Sequence, residues 1–348
     1  MLNIKPDIRS FTYNQLEDFI VDMGLPKFRA NQIFKWIHSG VQDFDEMTNL
    51  SKDLRLLLSE KCAIYPVNVY KKFKSNIDDT VKFVFELYDG NFIETVVMKY
   101  NHGYSICVSS QVGCRMGCEF CQSTKSGLTR SLYSGEILGQ ILTAQKELDI
   151  RISNIVMMGI GEPLDNFANV VKFLEIVNHP MGVNIGYRHI SLSTCGLCDK
   201  IMELAKYNFP ITLSISLHSV FDKKRTDMMP VNKKYNIDEL LTACKYYQSI
   251  TGRRISFEYA LISGVNDTDE DADLLVKKLK GIMHHINLIP VNRIENGIYY
   301  PPDIKAVEKF CDKLNNKGSV STVRRTLGSD ISASCGQLKS KYDRKRGE

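Results

Sequence analysis

The chain has 348 residues, of which 43% are apolar, 24% are charged and 9% are aromatic. This composition is typical of a folded globular protein and excludes a disordered chain, a collagen or a coiled coil. The net charge of +5 is compatible with RNA binding but too small to require it. The first residues contain no apolar leader, and no apolar run approaches the roughly 20 residues of a membrane helix. We therefore expect a cytoplasmic protein that does not contact a membrane.

The first hundred residues predict a small helical region followed by a β-hairpin. Amphipathic helices are predicted over residues 13–24, 27–40 and 43–60. Two apolar runs, 81–87 and 92–99, then flank an Asp-Gly dipeptide, which is typical of a hairpin turn.

From about residue 104 the sequence alternates between strand and helix patterns. Strands are predicted over residues 104–109, 152–158, 189–194, 211–217, 254–261 and 285–291. Helices are predicted over residues 135–148, 167–178, 197–207, 236–250, 268–281 and 303–316. Parallel strands need helical crossovers, so six βα units predict an α/β fold that closes into a partial (βα)6 barrel. An open doubly wound sheet is the alternative.

These patterns divide the chain into four parts. Residues 1–75 are predicted to form a helical accessory domain and residues 76–103 a β-hairpin extension. Residues 104–326 form the barrel, and residues 327–348 form a C-terminal loop with a basic tail. The unusual residues of the barrel follow the carboxyl ends of its strands, where active sites of parallel α/β folds lie.

A cluster of cysteines is the most informative pattern in the chain. Cys114-Arg-Met-Gly-Cys118-Glu-Phe-Cys121 has the spacing C-x3-C-x2-C. In a reducing compartment such clustering indicates a metal or catalytic site. Three thiolates can hold three corners of an iron–sulfur cluster and leave one iron open. A structural zinc site is the alternative, but it usually has four ligands, and the nearby fourth candidate is Cys107.

This loop, placed after the first strand of the barrel, resembles the radical S-adenosylmethionine (SAM) superfamily. The resemblance implies a 4Fe–4S cluster on Cys114, Cys118 and Cys121, with SAM bound to the open iron. One electron then cleaves SAM to methionine and a 5′-deoxyadenosyl radical. Gly159-Ile160-Gly161-Glu162 resembles the element of that superfamily that binds the SAM amine.

Further motifs resemble the RlmN/Cfr family of RNA adenine methyltransferases. The matching segments are residues 24–36, 105–114, 120–130, 161–166, 213–218, 287–292 and 322–338. The resemblance implies methylation of adenine C2 in 23S rRNA, at the peptidyl-transferase centre, and at the adenosine 3′ of the anticodon in tRNA. It also implies that the N-terminal helical domain binds RNA.

The resemblance assigns roles to three residues outside the cluster loop. Cys335 takes a methyl group from one SAM, and a radical made from a second SAM removes hydrogen from that methyl group. The resulting methylene radical adds to C2, Glu94 accepts the C2 proton, and Cys107 forms a transient disulfide with Cys335 that releases the product. SAM contacts are implied for Gly161, Glu162, Ser193, Ser216, Leu217, His218 and Asn292.

Without the resemblance, each of these three residues also fits a non-catalytic role. Cys335 also fits an unreactive thiol near the chain end, and Cys107 fits a core residue of a strand. Glu94 also fits an exposed strand carboxylate. Candidate phosphate contacts are Arg324-Arg325, Lys223-Lys224-Arg225 and the basic tail, although basic runs of this kind are usually solvated faces.

Two other functions are possible alternatives. One is C8 methylation, as in the Cfr branch of the family, although Pro163 after Glu162 and Ser123-Thr124 after the third cysteine resemble the RlmN branch. The other is a zinc-stabilised RNA-binding protein without catalysis.

Further predictions concern the partners of the protein and a second cysteine motif. The resemblance implies an external electron donor such as flavodoxin or ferredoxin. It also implies a monomer that acts on rRNA before the ribosome is fully assembled. A second C-x2-C motif, Cys195-Gly-Leu-Cys198, lies at a predicted helix start, where thiol pKa values are often lowered. We interpret this motif as incidental to function.

Overall fold

The computed structural model describes residues 5–342, so half of the predicted basic tail (residues 339–346) lies outside the described residues. The N-terminal region contains the helices α1 (Tyr13–Asp22), α2 (Phe28–His38) and α3 (Lys52–Lys61). A capping box begins α1, because the Thr12 side chain accepts from the Gln15 N–H and the Gln15 side chain accepts from the Thr12 N–H. The three helices enclose their own apolar core, which includes Leu16, Ile33 and Leu58.

The rest of the chain is built on one ten-stranded sheet. Its strands are β1 (Asn68–Lys74), β2 (Val81–Glu86), β3 (Phe92–Tyr100), β4 (Gly103–Cys107), β7 (Ile152–Met157), β8 (Ile190–Thr194), β9 (Thr212–Ser216), β10 (Ile255–Leu261), β11 (His284–Pro290) and β12 (Ser321–Val323). A separate antiparallel pair consists of β5 (Gln111–Gly113) and β6 (Leu128–Ser131). In the large sheet the order is β1-β2-β3-β4-β7-β8-β9-β10-β11-β12. The four strands β1 to β4 pair antiparallel, and β4 and β7 to β12 pair parallel.

Helices cross over between the parallel strands. They are α4 (Ser134–Leu148), α5 (Phe167–Asn178), α6 (Cys198–Lys206), α7 (Asp222–Met228), α8 (Ile237–Thr251), α9 (Asp269–Leu279) and α10 (Ile304–Asn316). Residues near or beyond the carboxyl ends of β4 and β7 to β11 all line one cavity, so the sheet curves around it. Strands β1 and β12 form the two edges, and the barrel is therefore partial, as predicted.

The six predicted barrel strands and their six helices are present, but the structure adds elements that the patterns do not show. Residues 68–74, which were assigned to the helical domain, form β1 and pair with β2. The extension is therefore three-stranded, β1-β2-β3, rather than a two-stranded hairpin. Four lysine and asparagine side chains interrupt the apolar pattern of β1, because this edge strand is largely exposed.

None of the helices in residues 5–342 is long and apolar enough to span a bilayer.

Candidate active site

Most of the candidate site residues line a cavity at the carboxyl ends of the parallel strands. Each of these strands or the loop after it contributes to the lining, which includes Cys114, Cys118, Cys121, Gly161, Glu162, Ser193, Ser216, His218, Asn292, Arg324 and Cys335. This position agrees with the general location of active sites in parallel α/β folds. Sequence motifs separated by more than two hundred residues therefore share one site.

The cysteine loop is held in place by backbone hydrogen bonds at both ends. The Cys114 N–H donates to the carbonyl of Gly127 in the turn before β6 (3.0 Å). The Glu119 N–H donates to the carbonyl of Met228 at the end of α7 (3.0 Å). Gly113 has a φ of +76°, and a Cβ there would lie 1.8 Å from the Gly127 oxygen, so this close approach requires glycine.

The three thiols of this loop form the donor set for an iron–sulfur cluster. Burial raises the pKa of the Cys114 thiol to about 12, and burial also raises the pKa of Cys118 well above its usual value. Thiols in such surroundings ionise when a metal binds them. Three thiolates can bind three irons of a 4Fe–4S cluster and leave the fourth iron open, so the donor set fits such a cluster.

Gly161 and Glu162 form a tight turn after β7. Gly161 has a φ of +102°, and a Cβ there would lie 2.5 Å from the Cβ of Gln111. Gln111 in turn accepts from the Glu162 N–H through Oε1 (2.9 Å). The Glu162 carboxylate accepts from the N–H groups of Leu164 (3.0 Å) and Cys195 (2.7 Å). Burial raises the pKa of Glu162, and these hydrogen bonds oppose the rise.

Replacing Gly161 with alanine is expected to weaken both folding and SAM binding. The new methyl group would collide with Gln111 in a backbone conformation that L-residues rarely adopt, so we expect a loss of about 1–3 kcal/mol in the free energy of unfolding. Gly281→Ala is the matched control, because Gly281 has a φ of +83° with nothing within 4 Å of the added Cβ. Thermal unfolding and equilibrium dialysis with SAM measure the two effects. Equal losses in both variants would show that the contact with Gln111 is unimportant.

The strand ends opposite the cysteine loop carry polar groups that face the cavity. The hydroxyls of Ser193 and Ser216 lie 3.5 Å apart on the neighbouring strands β8 and β9. Leu217 differs from its neighbours, since its side chain is fully buried in the core and only its backbone supports the site. Its N–H donates to the carbonyl of Glu258 (3.1 Å).

His218 is a neutral imidazole with a defined tautomer. Its φ is +57°, and its Nδ1 accepts from the Ala260 N–H at 2.9 Å. Burial, with a smaller contribution from the charge of Arg225, lowers the pKa of His218 to about 3. Because Nδ1 is an acceptor, Nε2 carries the proton in the neutral ring. The ring also makes an edge contact with Phe120 of the cysteine loop, with centroids 4.8 Å apart.

The C-terminal loop places Cys335 against the cysteine loop. The Asn292 amide donates to the Cys335 carbonyl (3.1 Å), and the Gln122 N–H donates to the Gly336 carbonyl (2.7 Å). The Ser123 hydroxyl donates to the carbonyl of Leu338 (2.8 Å). Cys335 therefore lies in the cavity wall near Cys121, so it is not remote from the cysteine loop.

Cys107 lies at the end of β4, behind the cavity wall rather than in its lining. Burial and the neighbouring charge of Cys335 raise its pKa to about 12, while Arg324 opposes this rise. Arg324 itself lines the cavity, with Nη1 3.4 Å from the Met158 sulfur and 3.8 Å from the Glu258 carboxylate. Arg324, a candidate phosphate contact, thus lies inside the site, where its charge acts on the thiols of Cys107 and Cys335.

Glu94 is fully buried on β3, so the interpretation as an exposed carboxylate is wrong. Its carboxylate forms an ion pair with Lys82 (3.1 Å) and accepts from the Lys339 N–H (2.8 Å) and the Tyr342 hydroxyl. Glu94 does not line the cavity with the cysteines. Residues 339–342 cover it, and sequence patterns give no indication of that contact.

The second C-x2-C motif does not have lowered pKa values. Burial raises the pKa of Cys195 well above its usual value and that of Cys198 to about 11. The helix-start position was expected to lower them, but loss of solvent outweighs that effect. Cys195 lines the cavity, and its backbone connects Glu162 to Arg225. Gln111 lies in the matching segment 105–114 and Arg225 in a basic run, but the sequence analysis gave neither of them, nor Glu258, a role in supporting the cavity.

Three cysteines on the first βα loop of a partial (βα) barrel, facing a glycine–glutamate turn, define a radical SAM enzyme. Family models support this class: residues 108–276 match the radical SAM superfamily, and residues 6–64 match the ribosomal RNA large subunit methyltransferase N-terminal domain. A radical SAM methyltransferase from Sphaerobacter thermophilus has a crystal structure that superposes with a TM-score of 0.92. The two chains are 39% identical, over 96% of this chain and 99% of that one.

Sequence relatives identify the family within the radical SAM superfamily. A probable dual-specificity RNA methyltransferase RlmN of Clostridium novyi is 53% identical over 339 residues, 97% of this chain and 99% of that protein. Another from Clostridioides difficile is 48% identical, over 96% of this chain and 98% of that protein. The chain belongs to the RlmN family of radical SAM RNA methyltransferases, which confirms the resemblance found in the sequence.

Proposed function

We propose that this protein methylates C2 of specific adenosines in 23S rRNA and in tRNA, with Cys335 as the carrier of the methyl group. The observation that carries the proposal is the position of Cys335 in the wall of the cavity that also contains Cys114, Cys118 and Cys121. A methyl carrier must reach both SAM and the base, and a cysteine in this wall meets that requirement. The dual-specificity names of the relatives support both RNA classes.

In the proposed reaction, some site residues bind the cluster and others orient SAM. When bound on Cys114, Cys118 and Cys121, the cluster supplies one electron to SAM, which provides both the methyl group and the radical. Gly161, Glu162, Ser193, Ser216, His218 and Asn292, together with the backbone at Leu217, orient SAM in the cavity. Glu162 and the neutral His218 hold hydrogen-bonding atoms at fixed positions there, because both side chains are buried and anchored to the backbone.

Cys335 acts first as a nucleophile and later as a covalent link to the RNA. Its thiolate accepts a methyl group by displacement at the SAM methyl carbon. After hydrogen is removed from that methyl group, the S-bound carbon adds to C2, which joins enzyme and base. Cys107 then attacks the Cys335 sulfur, so a disulfide forms as the bond between that sulfur and the methylene carbon breaks. For the methylated base to leave, the C2 proton passes to Glu94 and the Cys107 proton completes the methyl group, while the one unpaired electron returns to an acceptor, which the oxidised cluster would provide. An external two-electron reductant then restores both thiols.

Glu94 is the proposed acceptor of the C2 proton, but other groups of the protein already occupy its carboxylate in this structure. Its carboxylate is occupied by Lys82, the Lys339 N–H and the Tyr342 hydroxyl. Residues 339–342 must therefore leave Glu94 before it can accept a proton from the substrate. We further propose a flavodoxin or ferredoxin as electron donor, a monomeric enzyme in the cytoplasm, and action on rRNA before full ribosome assembly.

Anaerobic purification followed by methylation assays tests the proposal. We expect a brown protein with about four irons per chain, which forms 2-methyladenosine in 23S rRNA and in tRNA. Cys118→Ala is expected to lose the iron and the activity, whereas Cys62→Ala, a buried cysteine of the N-terminal core, keeps both. A colourless protein with one zinc would overturn the cluster site, and 8-methyladenosine as the sole product would replace C2 with C8.

A further inference from the structure

Arg225 of α7 is a fully buried arginine behind the cavity. Its Nε donates to the carbonyl of Leu217 (3.1 Å), and its Nη1 donates to the Asn232 side-chain oxygen (2.9 Å). Its Nη2 donates to the carbonyls of Cys195 (2.7 Å) and Ser216 (3.1 Å). All four acceptors are neutral oxygens. The hydrogen-bonding groups of Arg225 are therefore paired, but none of these acceptors is an anion that balances its positive charge.

A buried cation without an anionic partner is costly, because the interior screens charge poorly. Within residues 5–342 no carboxylate forms an ion pair with Arg225. Asp222 is connected to it only through the Asn232 amide, which donates to Asp222 (3.0 Å). Glu162 lies on the other side of Cys195, where it accepts from the N–H of that residue (2.7 Å). The fold therefore maintains a positive charge for which the protein alone supplies no direct partner.

The position of Arg225 indicates which negative group its charge can stabilise. Cys195, whose carbonyl binds the guanidinium, packs in one apolar cluster with Cys118 and Met228. Met228 accepts from the N–H of Glu119, which fixes the cysteine loop to the end of α7. These contacts make Arg225 a buried positive charge close to the cysteine loop.

We infer that Arg225 raises the reduction potential of the cluster by providing the positive charge that stabilises its reduced form. The inference rests on the cluster site proposed above. Three cysteinate ligands make the cluster negative, and one electron from an external one-electron reductant makes it more negative by one unit. No bond is made or broken in this step. A buried cation stabilises the added charge strongly, because the local dielectric constant is low. Arg225 is therefore a positioning and tuning residue, not a catalytic one.

Two substitutions at this position separate charge from shape. Arg225→Gln removes the charge and retains some hydrogen bonds, whereas Arg225→Lys keeps the charge and loses the planar donor array. A redox titration of the cluster, followed by electron paramagnetic resonance, measures the midpoint potential. In Arg225→Gln we expect the equilibrium constant for reduction to fall at least tenfold, a shift of about 59 mV to lower potential for one electron. In Arg225→Lys we expect less than half of that shift. An unchanged potential in Arg225→Gln, or equal shifts in both variants, would overturn the inference.

Asp222→Asn provides an independent test if Arg225→Gln fails to fold. The asparagine keeps the Oδ1 acceptor that Asn232 and the Ile237 N–H use (3.0 Å each). It removes the negative charge linked to Arg225, so we expect a shift to higher potential, opposite in sign to that of Arg225→Gln. If the potential of Asp222→Asn stays at the wild-type value or falls, the inference is wrong. Failure of the wild-type protein to bind iron would instead refute the proposed cluster site.

Discussion

Cys335→Ala is expected to abolish RNA methylation while leaving the fold and the iron content intact. Without the thiol there is no acceptor for the first methyl group, so we expect activity to fall by about 10⁴-fold or more. The backbone contacts of the loop, from Asn292 to the Cys335 carbonyl and from Gln122 to Gly336, do not involve the sulfur and should persist. Methylated adenosine is measured by mass spectrometry after digestion of the RNA, and iron is measured in the same preparation.

Cys311→Ala is the matched control for this experiment. Cys311 is also half-buried, but it lies on α10, where it contacts Ser321 rather than the cavity. We expect this variant to methylate RNA at the wild-type rate. Normal turnover in Cys335→Ala would show that the methyl group reaches the base without a cysteine carrier, and the proposed mechanism would then fail at its first step.

Cys107→Ala is expected to form the covalent complex with RNA but not to release it. The methyl transfer to Cys335 and the addition to C2 do not need Cys107, whereas disulfide formation does. We therefore expect the RNA-bound enzyme to accumulate and free product to fall by about 10²-fold or more. A denaturing gel with labelled RNA detects the adduct as a band of reduced mobility, and mass spectrometry locates it on Cys335.

Cys244→Ala tests whether loss of any buried cysteine gives the same result. Cys244 is completely buried on α8, and its side chain contributes to the main apolar core. We expect at most a loss of stability, with no RNA adduct. Free product from Cys107→Ala at the normal rate would remove Cys107 from the reaction and indicate that another thiol resolves the complex.

The motifs that carry chemistry were predictable because their residues are close together in the chain. Cys114, Cys118 and Cys121 occupy one loop, and Gly161 and Glu162 occupy one turn. Their relative positions follow from local backbone geometry, so spacing alone indicates a shared function. The alternation of strands and helices was predictable for the same reason, since apolar periodicity is a local property. The short edge elements β1 and β12 lack that periodicity and were missed.

The surroundings of individual side chains could not be predicted in this way. Glu94 fits an exposed position by its pattern on β3, yet Tyr342 and Lys339 cover it from 245 or more positions away. Leu217 lies between two residues that face the cavity, but its side chain points into the core. Arg225 belongs to a short basic stretch typical of a solvated face, and only the packing of α7 buries its charge.

The sequence by itself predicted the barrel and the family, and it identified the cysteine loop and the glycine–glutamate turn as motifs, because each motif consists of residues near one another along the chain. Only the tertiary structure decided which side chains meet at the cavity and in what state of charge. Burial makes His218 neutral and raises the pKa of Cys107, and both effects come from atoms contributed by distant segments. Desolvation depends on how the whole chain packs, and local spacing contains no information about it.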